Sequence, residues 1–212
     1  VSTPKAVGAG TGDGDPLALA LFGLTVVSGL IDAVSYLGLG HVFAANMTGN
    51  VVVIGFALAG APGFSVLGSV TSLAAFLLGA NLAGRSTAGR LRPALAAETA
   101  LHLAAAVVVF AAGTGGAVQY PVIALLALAM GLRNATVRAL GVPDLTTTVL
   151  TMTLTGLAAE PGSPRRRRRV LAALTMLAGV VPGSVLVLHG MAGWALVASA
   201  AITAATGALY RE

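Results

Sequence analysis

The chain has 212 residues, 57% hydrophobic and only 9% charged, with a formal charge of +5 and no cysteine. A soluble domain carries about 25% charged residues, so too few remain here to coat a surface in water, and the missing thiols exclude disulfides, thiolate metal sites and a cysteine nucleophile. The basic balance does not point to nucleic acid, because most basic residues sit in two short loops between apolar runs, the positive-inside pattern of a membrane protein.

Residues 1–15, VSTPKAVGAGTGDGD, are polar, Gly-rich and unpatterned. They read as a disordered tail ahead of a single integral membrane domain over 16–212. They do not read as a signal peptide, since the apolar run that follows is too long. Apolar segments are then predicted at about 16–40, 42–60, 64–84, 93–112, 119–140, 145–159, 168–188 and 191–210. A helix needs roughly 20 residues to cross the hydrocarbon core. Six segments meet that length, whereas 42–60 and 145–159 are short and polar.

Charge placement sets the number of crossings. One basic loop holds Arg85, Arg90 and Arg92, and the other holds Arg165, Arg166, Arg167, Arg168 and Arg169. If both face the cytoplasm, an even number of crossings separates them. Segments 93–112 and 119–140 supply two, so 145–159 is expected to enter and return, or to form a half-helix inside the bundle, where such backbone is tolerated. The uncharged loop near 113–118 then lies outside, Arg133 and Arg138 fall at the inner end of their helix, and both termini are cytoplasmic. The expected fold is an all-α polytopic bundle of six transmembrane helices plus two short broken or re-entrant segments. A weak internal repeat, 16–112 against 119–210, superposes Thr48 on Thr151 at a shift of about 103 positions, and Gly29 on Gly131 and Asp32 on Asn134 with one residue of slack. With three crossings each, the halves would be inverted, a plan familiar from transporters.

Candidate site residues cluster in GLIDAVSYLGLGHVFAANMTGNVVVIG, residues 29–55. Asp32 lies deep in the first span. A centred aspartate costs about 3 kcal/mol on insertion scales, so it should face the interior and serve a proton, a cation or a polar solute, or else lock helices together; Arg133 and Arg138 are candidate partners. Asn46, Thr48 and Asn50 surround a glycine where a broken helix would expose backbone groups to a solute, though interhelical hydrogen bonding would also account for them. Tyr36 would line the same cavity or anchor an interface. In the second half Asn134, Thr148 and Thr151 are the matching set. Pro143-Asp144 reads as a helix start. Glu98 and His102, four apart on one helix face, would form a hydrogen-bonded pair or a proton relay. They make no metal site, because a third ligand and an HExxH motif are missing. The arginine run at 165–169 is expected to meet anionic headgroups.

The stretch DAVSYLGLGHVFAANMTGN resembles the signature of the YoaK family, the UPF0700 group of bacterial multi-pass membrane proteins of unknown function. The resemblance rests on Gly29, Asp32, Ala33, Tyr36, Leu37, Leu39, Gly40, Val42, Phe43, Ala45, Asn46, Met47, Thr48, Gly49 and Asn50. A second block, GLRNATVRALGVPDLTTTVLTMTLTGL, is similar to the family's later motif, including Thr155, Gly156 and Leu157. The resemblance implies an integral protein of the bacterial inner membrane and no named substrate.

The functional expectation is a secondary transporter or channel for a small polar or ionic solute, with Asp32, Tyr36, Asn46, Thr48 and Asn50 on one side of a midplane site and Asn134, Thr148 and Thr151 on the other. The alternative is a non-transporting scaffold or sensor whose polar residues only join helices. An intramembrane enzyme using Glu98 and His102 is the weakest reading; the expectation is that the chain is no enzyme and needs no cofactor. A chain this small could need a second copy to enclose a pathway, so a homodimer is also expected.

Overall fold

A computed structural model of the chain describes residues 16–86, 90–141, 150–160 and 162–210. Among them are eight α-helices and no strand: α1 Pro16–Gly38, α2 Met47–Leu58, α3 Val66–Ser86, α4 Leu91–Ala112, α5 Gln119–Leu140, α6 Leu150–Ala159, α7 Arg166–Leu188 and α8 Ala192–Leu209. All but α2 and α6 are long and apolar enough to cross a membrane. The boundaries follow local chemistry. Pro16 opens α1, where its missing N–H costs nothing. Gly113 and Gly141, at φ 76° and 67°, close α4 and α5. Pro182 lies inside α7, a position that neighbouring helices make tolerable in a membrane.

The short helices do not cross. α2 has 12 residues and α6 has 10, or about 18 and 15 Å at 1.5 Å per residue, against about 30 Å of hydrocarbon. Their neighbours confirm it. The His41 ring, just past α1, hydrogen-bonds the Gly63 carbonyl just before α3, at 2.9 Å. The end of α1 and the start of α3 therefore share one face. On the opposite face Leu17, Leu91, Leu140, Leu171 and Tyr210 pack as one cluster, which brings together the starts of α1, α4 and α7 and the ends of α5 and α8. Six crossings result. Arg85, Arg90, Arg92, Arg138 and Arg165–Arg169 all belong to this second face; the segments at the first face, 39–65, 113–118 and 189–191, contain no Asp, Glu, Lys or Arg.

The two halves pack alike. α1 lies against α7 and α3 against α5; α4 meets α5 as α8 meets α1; α2 lies on α3 as α6 lies on α7; and α4 crosses α8 between the halves. Exchanging each helix for the one four places on leaves this pattern unchanged. With three crossings per half, the halves run in opposite senses through the membrane. The same glycine device closes both major crossings. A Cβ on Gly29 would strike the Met176 carbonyl and one on Gly179 the Val26 carbonyl, while Gly131 meets Phe76 and Gly79 meets Leu128 in the same way. Lipid gives no hydrophobic drive for helix association, so such close backbone approach supplies the packing energy. The superposition of Gly29 on Gly131 in the sequence thus marks matching contact points. Apolar side chains such as Leu77, Val107, Leu177 and Val181 stay exposed on the outside, where lipid would cover them.

Candidate functional site

Two polar assemblies lie inside the bundle. The first is the tip of a re-entrant hairpin. After α1 the chain turns back at Gly40 and His41, both with positive φ. Residues 43–46 then descend into the bundle. The Ala45 N–H donates to Asp32 Oδ1 at 2.8 Å, and the Ala44 N–H donates to Ser35 Oγ at 3.2 Å. The descending segment therefore reaches the depth of Asp32 before α2 climbs out again. Asn50 staples the tip. Its Oδ1 accepts from the Phe43 N–H at 2.8 Å, and its Nδ2 donates to the Phe43 carbonyl at 2.6 Å. Ser72 of α3 donates to that carbonyl at 2.7 Å. Asn46 caps α2 by accepting from the Gly49 N–H. The logic is that of any buried non-helical backbone: its N–H and C=O groups need partners, and side chains from α1, α2 and α3 supply them.

The expected site residues thus divide. Asp32, Asn46 and Asn50 meet at the tip, and each bonds backbone there. Tyr36 stacks on Phe43, centroids 4.6 Å apart, with its edge against His41. Thr48 is exposed on the first turn of α2. In the second half Asn134 is half-buried on α5 and Thr151 is exposed on α6, while Thr148, with Pro143 and Asp144, lies outside the described residues. Of the threonines in α6, Thr155 donates back to the Thr151 carbonyl of its own helix, as α-helical threonines commonly do.

The second assembly is a buried charge cluster that corrects two expectations. Arg133 lies toward the inner end of α5, as expected, but it is not the hydrogen-bonded partner of Asp32. It is fully buried and grips Glu98 of α4 with both Nε, at 2.9 Å, and Nη2. Its Nη1 donates to the Leu24 carbonyl at 2.7 Å and to Ser28 Oγ at 2.8 Å, both on α1. Thr203 of α8 donates to Glu98 Oε1 at 3.2 Å. Arg138 is exposed in the last turn of α5. The expected Glu98–His102 hydrogen bond is also absent: Nε2 stands 3.8 Å from Oε1, and a buried guanidinium outcompetes an imidazole for a carboxylate because its bidentate bonds are charge-assisted. Two opposite charges within apolar spans signal such a pair, since neither can be buried alone; the sequence reading offered Arg133 to Asp32 and paired Glu98 with His102 instead.

The arginine run also divides. Arg165, Arg166 and Arg167 are exposed, whereas Arg168 and Arg169 are buried. Arg169 Nη1 donates to the Gly156 carbonyl at 2.6 Å and to Glu160 at 3.0 Å, tying α7 to α6. Among the described residues no group of three His, Cys, Asp or Glu could hold a metal ion.

Residues 20–209 match the family described as Protein of unknown function (DUF1275). The chain belongs to that family. It is 37% identical over 141 residues to the UPF0700 transmembrane protein YoaK of Bacillus subtilis (strain 168). That match takes in 63% of this chain and 62% of the relative, so the chain spans about three fifths of the length of the curated relative it matches. No solved structure matches. The family is thus one of transmembrane proteins, in line with the six long apolar helices.

Proposed function

We propose that this chain is a secondary transporter or channel for a small polar or ionic solute in the bacterial plasma membrane. The observation that carries this reading is the inverted pairing of the two halves around short, non-crossing helices, one of which ends a hairpin at a buried aspartate. Inverted repeats interrupted at matching positions place solute and ion sites near the midplane, and rocking of one repeat against the other gives alternating access. In this reading Asp32 and Thr48 contact the solute from the first repeat, with Asn134 and Thr151 opposite. Asn46, Asn50 and Tyr36 shape the tip. The arginine-bearing face is cytoplasmic by the positive-inside rule, with Arg165–Arg167 on anionic headgroups.

One observation favours the second reading, a scaffold or sensor. The hydrogen bonds of Asn46 and Asn50 close on the hairpin itself and on Ser72 of the neighbouring α3, as pure helix glue would. Light scattering from proteoliposomes shrunk and reswollen in a panel of polar solutes and salts separates the two. Transport predicts that at least one solute enters faster than into protein-free liposomes and that Asp32→Asn abolishes the gain while the protein stays folded. Equal rates for every solute would favour the scaffold.

A further inference from the structure

Much of the outer surface is built from large apolar side chains such as Leu77, Val107, Leu177 and Val181. The seam between α4 and α8 is different. A groove of about 590 Å³ runs there, with Arg92, Ala96 and Thr99 on one wall and Thr203, Ala204 and Gly207 on the other. Each repeat therefore supplies one wall. The groove starts at the arginine-bearing face, where the first turn of α4 meets the last turn of α8. From Arg92 to Thr99 is about 10 Å along a helix axis, so the groove stays within one leaflet of a hydrocarbon core about 30 Å thick. Charge is confined to its mouth. Arg92 is exposed, and it is the one ionisable side chain among the described residues that line the groove. Deeper in, Thr99 gives its hydroxyl proton to the Leu95 carbonyl at 2.8 Å. Thr203 turns its hydroxyl inward, to the Ser199 carbonyl at 2.9 Å and Glu98 Oε1 at 3.2 Å. Neither threonine has a proton left for an occupant, so below Arg92 the walls offer chiefly hydrocarbon contact.

We propose that this groove holds an anionic phospholipid from the leaflet on the arginine-bearing side, its phosphate on Arg92 and one acyl chain along Ala96, Thr99 and Ala204, so that the lipid bridges the two repeats. The inference goes beyond the transport reading and does not rest on it. Charge is the first argument for this occupant. Guanidinium and phosphate are charge-assisted, bidentate partners, and the face that carries Arg92 also carries Arg85, Arg90 and Arg138, a surplus that draws anionic lipid to it. Depth is the second. The groove has its charge at headgroup level and its apolar length within the same leaflet, the order in which a phospholipid carries head and chain; a small polar solute would find no donor below the mouth. Shape is the third. Ala96, Ala204 and Ala208 are exposed along the seam, and their short side chains leave room for a chain where leucine and valine fill the surface elsewhere. Arg166 and Arg167 line a separate hollow of about 490 Å³ at the start of α7, so the two places must be told apart by mutation.

The test is native mass spectrometry of the full chain, released from detergent after titration with phosphatidylglycerol or with phosphatidylcholine of the same acyl chains. The expected result is a first phosphatidylglycerol retained at concentrations where phosphatidylcholine is not. Ala204→Phe, which fills the groove from an exposed position, should abolish that retention. Arg92→Gln should raise the concentration for half occupancy about fivefold, the roughly 1 kcal/mol of one basic residue at an anionic surface converted at 1.4 kcal/mol per tenfold. R166Q/R167Q should leave it unchanged. Equal retention of the two lipids, retention untouched by Ala204→Phe or by Arg92→Gln, or a loss in R166Q/R167Q overturns the proposal. A dimer that Ala204→Phe dissolves, with no lipid held by the monomer, would put a second copy in the groove and overturn it as well. Arg92→Gln changes an exposed side chain, so with the two-lipid comparison on the unaltered chain it decides the matter even if Ala204→Phe does not fold. Solute entry is read separately in the liposome assay, so the lipid site and the transport reading can each fail alone.

Discussion

In the first repeat the short helix is held by neutral groups: Asn50 takes both the N–H and the carbonyl of Phe43, and Ser72 adds a third bond. In the second repeat the corresponding helix is held by a charge, with Arg169 reaching the Gly156 carbonyl and Glu160, and Glu160 is 58% exposed. The backbone plan is shared but the fastening differs. A closed amide staple is indifferent to ions, whereas a charged tether that opens at the surface is screened by them. Between these two fastenings lies the Glu98–Arg133 pair, common to both repeats and fully dry.

The largest effect is expected at that shared pair. Glu98→Gln or Arg133→Gln leaves a buried charge without its partner and should cost about 3–5 kcal/mol, read by unfolding in detergent, with the double variant regaining part of the loss. Next come the crossings. Gly131→Ala and Gly179→Ala each force a Cβ onto a carbonyl of the facing helix, and overpacking of this kind costs about 1–3 kcal/mol. Equal losses would confirm that the halves are equivalent, and unequal losses would break the comparison. Gly55→Ala, which meets open space, is the control and should not destabilise. Asn50→Ala strands the Phe43 N–H and should cost about 1–3 kcal/mol, independent of salt. Arg169→Ala should cost about 1 kcal/mol at low salt, the upper range for a partly exposed pair, and less as salt rises. A salt-dependent Asn50 variant or a salt-independent Arg169 variant would erase the distinction between the fastenings.

Much of the fold was legible because lipid imposes simple rules. The span 119–140 begins and ends where the sequence places it, and the other long spans agree within a few residues, since an unbroken apolar run of sufficient length has one use. The two loops of arginines fixed the parity that keeps α6 from crossing. The site was less legible. Asp32 announced itself as an intramembrane acid, but its contact with Ala45 depends on a chain reversal that Gly40 and His41 create, and no periodicity encodes that. Arg133 was placed toward the inner end of α5 and offered to Asp32: a count of charges near helix ends cannot show that it turns inward to a glutamate 35 residues away.

The inverted arrangement is tested most directly by single-cysteine labelling in intact cells and inverted vesicles, which the cysteine-free chain makes clean. Cysteines at Pro16, the first residue of α1, at Pro62, between α2 and α3, and at Ser163, before α7, probe every crossing in question. Two non-crossing short helices predict that positions 16 and 163 react with an impermeant maleimide from one side only, and position 62 from the other. Any other division of the three, with 62 on the side of 16 or 163 opposite to 16, would mean that α2 or α6 spans the membrane, and the two halves would not be inverted copies.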